Sequence, residues 1–364
     1  MIFDADLLLE TYNPGTSELA PRTAAFAAAL ADATPAAVSS TLSTPTVENL
    51  RAAVAISQAD KSLPYPEGLT FHSYTQEKIG GMDCTVLRAK HSASVPTLVM
   101  FYGGGFCLNT LFAHKPFMAH ITAFAACNII LPDYPLAPET KAPEIMAKSS
   151  HFLQNLLDNP TTLGFSEQIL LMGWSSGAHM ALTLALNLQQ EAPNIFHKIS
   201  QIILLSSWMD LSLTVARKGP YQAQQNKDTI AVGADILEIM ADWYLPLGYT
   251  RDEPKYCPAL RSIDELKALP LTTVIAGSCE VLLGDSIFIA DALRRASAPV
   301  QLVVLEGQTH NYLVYDELSK DGVFVPELIG RIAAGKPIKT MVGTDGFGLI
   351  VNAFNLLAYF SSQI

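Results

Sequence analysis

From about residue 69 onward, short apolar runs alternate with longer stretches in which apolar residues recur every three or four positions. The short runs are typical of strands buried in a parallel sheet, and the longer spacing is typical of helices. The first two runs flank Gly80-Gly81 and predict a hairpin. The pattern predicts eight strands in all, at residues 70–78, 84–90, 97–102, 128–134, 168–173, 201–205, 272–276 and 300–305.

Helical spacing fills most of the gaps between these strands. The predicted helices cover about 114–126, 139–157, 285–296 and a segment that starts at 176. Two strands that pair antiparallel, followed by β-α-β alternation, indicate an open, mostly parallel sheet with helices on both faces.

Two segments do not fit this alternation. Residues 1–68 show helical spacing at 19–30 and 47–56, and residues 208–269 contain several prolines and a predicted helix near 228–244. We expect both segments to form a helical cap over the carboxyl ends of the strands, where open α/β sheets bind ligands.

The domain prediction follows from that pattern. Residues 1–68 are predicted to be N-terminal cap helices, and residues 69–364 the α/β domain, with a cap insertion at about 208–269. Residues 350–360 are predicted to form a further apolar helix, which would pack on its own sheet or pair with a second copy of the chain. Residues 316–348 have no role that the pattern indicates.

Composition and charge narrow the function classes. The 364 residues are 49% hydrophobic and 16% charged, which indicates one large buried core. No run of 18 apolar residues predicts a membrane span. The first residues carry acids where a signal peptide needs basic ones, so we expect a cytoplasmic protein. The net charge of −11 is spread along the chain and argues against nucleic acid as a partner.

The cysteines give no sign of a metal site. They are odd in number and widely spaced, which favours reduced, buried thiols. We therefore predict no metal and no cofactor. The five cysteines are Cys84, Cys107, Cys127, Cys257 and Cys279.

The strongest chemical signal lies where the predicted strand 168–173 meets the helix that follows. Gly173 and Gly177 flank Ser175 in a G-x-S-x-G pattern. A serine at such a strand-to-helix turn is pushed out of the sheet with its hydroxyl exposed, as a nucleophile requires. We therefore predict that Ser175 is a nucleophile.

A second signal lies about 70 residues upstream. The sequence Tyr-Gly-Gly-Gly-Phe at 102–106 directly follows the predicted strand 97–102. Three consecutive glycines let the backbone turn several N–H groups toward one point, which suits a developing oxyanion.

A nucleophilic serine needs a base and an acid that orients it. Among eight histidines, His310 follows the last predicted strand, at the same end of the sheet as Ser175. The acid is expected after the strand 272–276, where Glu280 and Asp285 are both available. Glu280 follows the strand at once and is favoured, whereas Asp285 has a simpler explanation as a helix N-cap.

Taken in order, these motifs resemble the hormone-sensitive-lipase-like branch of the α/β-hydrolases, the esterases with an HGGG loop. The resemblance spans about residues 96–312. It is carried by YGGGF, by DYPLAPE at 133–139 (the family has DYRLAPE), by GWSSG, by LLSSWMDLS at 204–212, and by GSCEVLL at 277–283.

The resemblance implies an α/β-hydrolase fold with a helical cap. It implies Ser175 as nucleophile, His310 as base and Glu280 at the acid position. The oxyanion would be held by the amides of Gly104, Gly105 and Ser176.

Two departures from the family pattern are aromatic. Tyr102 replaces the histidine of HGGG, and Trp174 replaces the aspartate that usually precedes the nucleophile. Neither removes a member of the triad, and together they indicate a specialised pocket. The expected lining residues are Tyr102, Phe106, Trp174, Trp208, Met209, Trp243 and Tyr244.

The function favoured by the sequence is hydrolysis of carboxylic esters on a medium-sized, uncharged small molecule, such as a natural product. One alternative is acyl transfer, lactonisation or lyase and cyclisation chemistry in secondary metabolism on the same scaffold. Another is a non-catalytic small-molecule binder, against which the intact Ser, acid and His residues argue.

Overall fold

A computed structural model describes residues 24–25, 45–52, 73–217, 228, 233–305, 307–310 and 325–335. Its centre is one eight-stranded sheet. The strands are β1 (Ser73–Ile79), β2 (Met82–Arg88), β3 (Thr97–Phe101), β4 (Asn128–Pro132), β5 (Ile169–Trp174), β6 (Ile199–Leu205), β7 (Leu271–Gly277) and β8 (Val300–Leu305). The order across the sheet is β1-β2-β4-β3-β5-β6-β7-β8.

The sheet confirms the predicted α/β-hydrolase architecture. β1 pairs antiparallel with β2, and β2 pairs antiparallel with β4. All the other neighbouring strands are parallel. All eight predicted strands are present, with ends that differ from the prediction by a few residues.

Helices cover both faces of the sheet, as predicted. The longer ones are α1 (Leu111–Phe124), α2 (Ala142–Asp158), α3 (Ser176–Glu191), α4 (Ala234–Tyr244), α5 (Leu283–Arg295) and α6 (Val325–Ala333). Short helices lie at Pro193–Phe196 and Ile263–Lys267.

Two apolar layers cover the two faces of the sheet. Successive residues of each central strand are buried in one layer and then the other, since successive side chains of a strand point to opposite faces. On β3, Val99 and Phe101 join the layer that contains α2, α3 and α5. Leu98 and Met100 join the layer that contains α1 and α6. This burial on both faces explains why the central strands are apolar without interruption.

The region between β6 and β7 differs from the prediction in one respect. The helix expected over 228–244 begins six residues later, at Ala234, after Gly233 in an extended conformation. Asp228 lies outside any helix. Its carboxylate accepts hydrogen bonds from residues distant in the sequence, and local periodicity carries no information about such bonds.

Part of the N-terminal region is also described. Residues 47–52 are helical, and Val47 and Leu50 are buried in the layer with α2 and α3. Arg51 makes two hydrogen bonds to the Glu139 carboxylate, at 2.7 and 2.8 Å, and donates to the Cys107 carbonyl. The predicted helix 350–360 and most of the helix 19–30 lie outside the described residues, and the division into cap and α/β domain stays a prediction.

None of the helices in the described ranges is long and apolar enough to cross a membrane. The five cysteines are all buried.

The turn between β1 and β2 offers a matched pair of glycines that tests this packing. Gly80 and Gly81 both have positive φ, +52° and +79°. A Cβ on Gly80 would lie 2.8 Å from the Phe152 Cα in α2, whereas a Cβ on Gly81 would meet nothing within 4 Å.

We expect Gly80→Ala to lower the free energy of unfolding by about 1–3 kcal/mol more than Gly81→Ala does. Both variants carry the strain of an alanine at positive φ, but only the first forces the turn away from α2. Chemical denaturation of the two variants measures the difference. Equal losses would show that α2 does not press on this turn.

Candidate active site

Ser175 occupies a sharp turn between β5 and α3. Its backbone has φ 55° and ψ −122°, values that non-glycine residues rarely adopt. The Ser175 N–H donates to the Leu205 carbonyl at the end of β6, at 2.9 Å, so the turn continues the sheet's hydrogen bonding by one residue. The side chain is thereby held above the carboxyl ends of the parallel strands.

The flanking glycines are required by close backbone contacts. A Cβ on Gly173 would lie 2.1 Å from the Gly177 carbonyl oxygen. A Cβ on Gly177 would lie 2.1 Å from the carbonyl oxygen of Phe101, at the end of β3. Any larger residue at either position would separate α3 from the sheet, so the G-x-S-x-G spacing follows from the packing.

The structure brings His310 against Ser175, across 135 residues of sequence. The distance between His310 Nε2 and Ser175 Oγ is 3.0 Å, which is hydrogen-bonding distance. His310 follows β8, as the sequence predicted. Ser175 is 4% and His310 7% exposed, so little bulk water reaches the pair.

The carboxylates of the two candidate acids, Glu280 and Asp285, make different contacts. Glu280 Oε2 is 3.7 Å from His310 Nδ1, and the carboxylate is fully buried. Within the described part of the chain, neither Glu280 oxygen has a hydrogen-bond partner. The carboxylate of Asp285 instead accepts from the backbone N–H groups of Met209 and Asp210, at 2.7 and 2.8 Å.

Asp285 therefore anchors the loop after β6. Burial raises the pKa of Asp285 well above its usual value, and the nearby Asp210 carboxylate adds to that effect. Asp285 does not act as a helix N-cap, because α5 already includes it.

The glycine loop after β3 is tied directly to the serine turn. The Phe106 N–H donates to the Ser176 hydroxyl oxygen at 3.2 Å. The N–H groups of Cys107 and Leu108 both donate to the Gly104 carbonyl, which closes the loop on itself. The loop amides and the first amide of α3 are thus fixed relative to each other.

Helix α4 lies against this loop. A Cβ on Gly105 would be 2.2 Å from Met240 Sδ, so Met240 packs directly on the glycine backbone. The Tyr244 ring stacks on Phe106 with 3.9 Å between centroids and an interplanar angle of 12°. Residues between β6 and β7 therefore form a wall beside the glycine loop.

Tyr102, which stands where the family has histidine, is fully buried. Its ring stacks on Tyr134 at 4.4 Å, and its hydroxyl donates to the Asp133 carboxylate at 3.2 Å. The Tyr134 hydroxyl donates in turn to the Tyr102 carbonyl at 2.7 Å. This stack supports the start of the glycine loop.

Trp174 contacts His310, the predicted base. Its ring stacks on His310 with 5.6 Å between centroids and an interplanar angle of 28°. On another side it meets the His114 ring at 5.0 Å. The indole is 3% exposed and restricts the orientations open to the His310 imidazole.

The remaining predicted lining residues lie near the glycine loop in a tightly packed group. The rings of Phe106 and Trp208 are 5.5 Å apart, and His179 meets Phe106 edge-on at 5.2 Å. Trp208 and Met209 are fully buried. Trp243 is half-buried at the edge of this group, and its carbonyl accepts from Lys141 Nζ.

Comparisons with known proteins bear on the identity of this arrangement. The family model described as alpha/beta hydrolase fold matches residues 98–314, which includes the serine turn, both candidate acids and His310. The chain belongs to the α/β-hydrolase fold family.

This hydrolase is similar to characterised esterases. It is 30% identical over 228 residues to an esterase of Acinetobacter venetianus, a match that covers 62% of this chain and 71% of that protein. An esterase structure from the fungus Rhizomucor miehei superposes with a TM-score of 0.74 at 22% identity, covering 88% of this chain and 97% of that one.

An esterase of the bacterial hormone-sensitive lipase family superposes with a TM-score of 0.70 at 19% identity, covering 87% of this chain and 97% of that one. These matches confirm the predicted resemblance, and the chain is a carboxylesterase-like hydrolase.

One residue of the hydrolase's site was not predicted. Asp228 is 4% exposed and accepts from the backbone N–H groups of Val281, at 2.8 Å, and His310, at 3.2 Å. Burial raises its pKa to about 7. No sequence motif could have found it, because its partners are 53 and 82 residues away.

Two buried histidines stay neutral beside the site. Burial lowers the pKa of His114 and of His179 from the usual 6.5 to about 4. His114 donates from Nδ1 to the Thr110 carbonyl at 2.7 Å. Because the unfolded chain binds protons at these histidines more readily, acidification from pH 7 to 5 should reduce stability.

We expect His114→Gln to reduce that acid-induced loss of unfolding free energy by about 1–2 kcal/mol. Urea denaturation at pH 7 and pH 5 measures the loss in the variant and in the wild type. His151→Gln, at an exposed position, controls for removal of an imidazole. An unchanged loss in the His114 variant would contradict burial of a neutral ring.

Proposed function

We propose that this hydrolase cleaves carboxylic esters through a Ser175–His310–Glu280 triad and an acyl-enzyme. The observation that carries the proposal is the 3.0 Å contact between Ser175 Oγ and His310 Nε2 at a strained strand-to-helix turn. A serine held in that way and paired with an imidazole is an activated nucleophile.

In the proposed mechanism, His310 Nε2 takes the Ser175 proton as Oγ attacks the ester carbonyl. The imidazolium returns that proton to the leaving alcohol, and the acyl group remains on Ser175. A water molecule, deprotonated by His310, then releases the acid and restores the serine.

The oxyanion of each tetrahedral intermediate would be held by the amides of Gly104, Gly105 and Ser176. The hydrogen bond from the Phe106 N–H to the Ser176 hydroxyl supports this assignment. It links the glycine loop, which carries two of these amides, to the start of α3, which carries the third. Preorganised donors stabilise developing charge without reorganisation during the reaction.

Glu280 is the acid that we assign to His310. Its distance of 3.7 Å from Nδ1 is longer than a hydrogen bond, and such contacts shorten when the imidazolium forms. Asp285 is the poorer assignment, because one of its oxygens already accepts two backbone amides.

We propose uncharged esters of medium size as substrates. Aromatic and thioether side chains near Ser175 support this choice: Phe106, Trp174, Trp208 and Met240 are all buried. A charged acyl or alcohol group would lose its hydration among these four side chains, none of which carries a charge. A natural-product substrate stays a prediction from the sequence.

Ser175→Ala should abolish labelling by a fluorophosphonate and lower kcat on p-nitrophenyl esters by at least about 10³-fold. Mass spectrometry of the labelled protein locates the adduct, and product analysis shows free acid and alcohol. Ser206→Ala is the matched control, a fully buried serine at the end of β6 that also has positive φ. An adduct elsewhere, or undiminished turnover in the Ser175 variant, would refute the proposal.

A second pair of variants distinguishes the two candidate acids, Glu280 and Asp285. Glu280→Gln should lower kcat on the order of 10³-fold with little change in stability, because its oxygens carry no hydrogen bonds. Asp285→Asn should mainly lower the free energy of unfolding, by about 1–3 kcal/mol, because its remaining oxygen can keep both loop amides but its new NH₂ group is buried without an acceptor among the described residues. Steady-state kinetics and chemical denaturation of both variants test this, and the reverse pattern would assign Asp285 as the acid.

A further inference from the structure

One carboxylate holds together the two loops that carry Glu280 and His310. Asp228 Oδ2 accepts from the Val281 N–H at 2.8 Å, and Asp228 Oδ1 accepts from the His310 N–H at 3.2 Å. Val281 directly follows Glu280, and the second donor belongs to the proposed base itself. Asp228 therefore forms a bridge between the backbone of Val281, next to Glu280, and the backbone of His310.

The bridge is shielded from solvent. Asp228 is 4%, Val281 2% and His310 7% exposed. Water has little access to replace the carboxylate, so its loss would leave two buried N–H groups without an acceptor, and each such group is costly. Asp228 thus adds a buried link near Glu280 and His310 to the direct bonds between the two loops, in which the Cys279 N–H donates to the Gln308 carbonyl at 2.9 Å and the Gly307 N–H to the Ser278 hydroxyl at 2.8 Å.

The charge of Asp228 also acts on the site. The titratable groups that face it are His310, whose positive form lowers the pKa of Asp228, and Glu280, whose charge raises it. Burial is the largest cause of its raised pKa. The Asp228 carboxylate therefore interacts electrostatically with both proposed triad partners, in addition to its hydrogen bonds.

We propose that Asp228 is a positioning residue for the triad, which fixes Glu280 and His310 relative to each other through its bonds to the backbone N–H groups of Val281 and His310. The proposal rests on the proposed function of the triad. Asp228 does not touch the reacting atoms, and it links the chain between β6 and β7 to the geometry of the base.

The chain contains a matched control in Asp210. It is also 4% exposed, and its two oxygens accept from the backbone N–H groups of Ser212 and Thr214, at 2.9 and 2.8 Å. It has the same burial and the same kind of bonding, but those amides belong to a turn after β6. Any effect common to both aspartates is therefore structural.

The test is Asp228→Asn beside Asp210→Asn. An asparagine has one acceptor oxygen, so one amide would face the new NH₂ group. We expect Asp228→Asn to lower kcat on a short p-nitrophenyl ester by about tenfold to a hundredfold, with KM changed less than about threefold.

Asp210→Asn should lower the free energy of unfolding and leave kcat within about threefold of the wild-type value. If the two variants lose stability to a similar degree and also lose kcat to a similar degree, Asp228 is only structural and the proposal is overturned.

A second measurement uses the wild-type chain, so its result does not depend on whether Asp228→Asn folds. In an NMR titration, the backbone amides of Val281 and His310 should shift with one common midpoint, since both bond to the same carboxylate. Separate midpoints, or no shift at either amide, would overturn the proposal.

The same titration distinguishes failure of this proposal from failure of the proposed function. Performed on Ser175→Ala, it follows the His310 ring and the two amides without turnover. A chain that hydrolyses no ester but keeps the common midpoint would refute the triad's function and leave the bridge in place.

Discussion

The structure depends on the close contact between the first turn of α3 and the ends of β3 and β5. Gly177 lies against the Phe101 carbonyl, and Gly173 lies against Gly177, with no room for a Cβ at either glycine. This contact forces Ser175 into a left-handed conformation and directs its side chain away from the sheet. The carboxyl ends of β3, β7 and β8 lie at the same edge, so the loops that follow them converge on the serine.

The parts that could be predicted from the sequence are those with local signals. Short apolar runs marked the central strands, because a strand buried on both faces is mostly apolar, and the Gly80-Gly81 pair marked the hairpin of the first two. The glycine spacing marked the turn at Ser175, and the position of His310 after the last strand placed it at the same edge. The late start of α4 and the role of Asp228 could not be predicted, because both depend on contacts between residues far apart in sequence.

The two aromatic departures from the family pattern have a common physical effect. Tyr102 stacks on Tyr134 behind the glycine loop, and Trp174 stacks on His310. His114 lies between them, 6.3 Å from the Tyr102 ring and 5.0 Å from the Trp174 ring. Polar positions in the family are thus filled here by a continuous group of buried rings, one of which packs on His310. The low pKa of His114 keeps that group uncharged at neutral pH.

The hydrogen bonds of three buried carboxylates, Glu280, Asp228 and Asp285, separate their roles. Asp285 accepts from two backbone amides and Asp228 accepts from two others, so both already have donors from the backbone. Within the described residues Glu280 accepts from none. A buried carboxylate without donors gains most from a cation that forms beside it. In the proposed triad, an imidazolium at His310 would therefore be stabilised more by Glu280 than by either aspartate, and this is the differential stabilisation of a transient charge that such a triad requires.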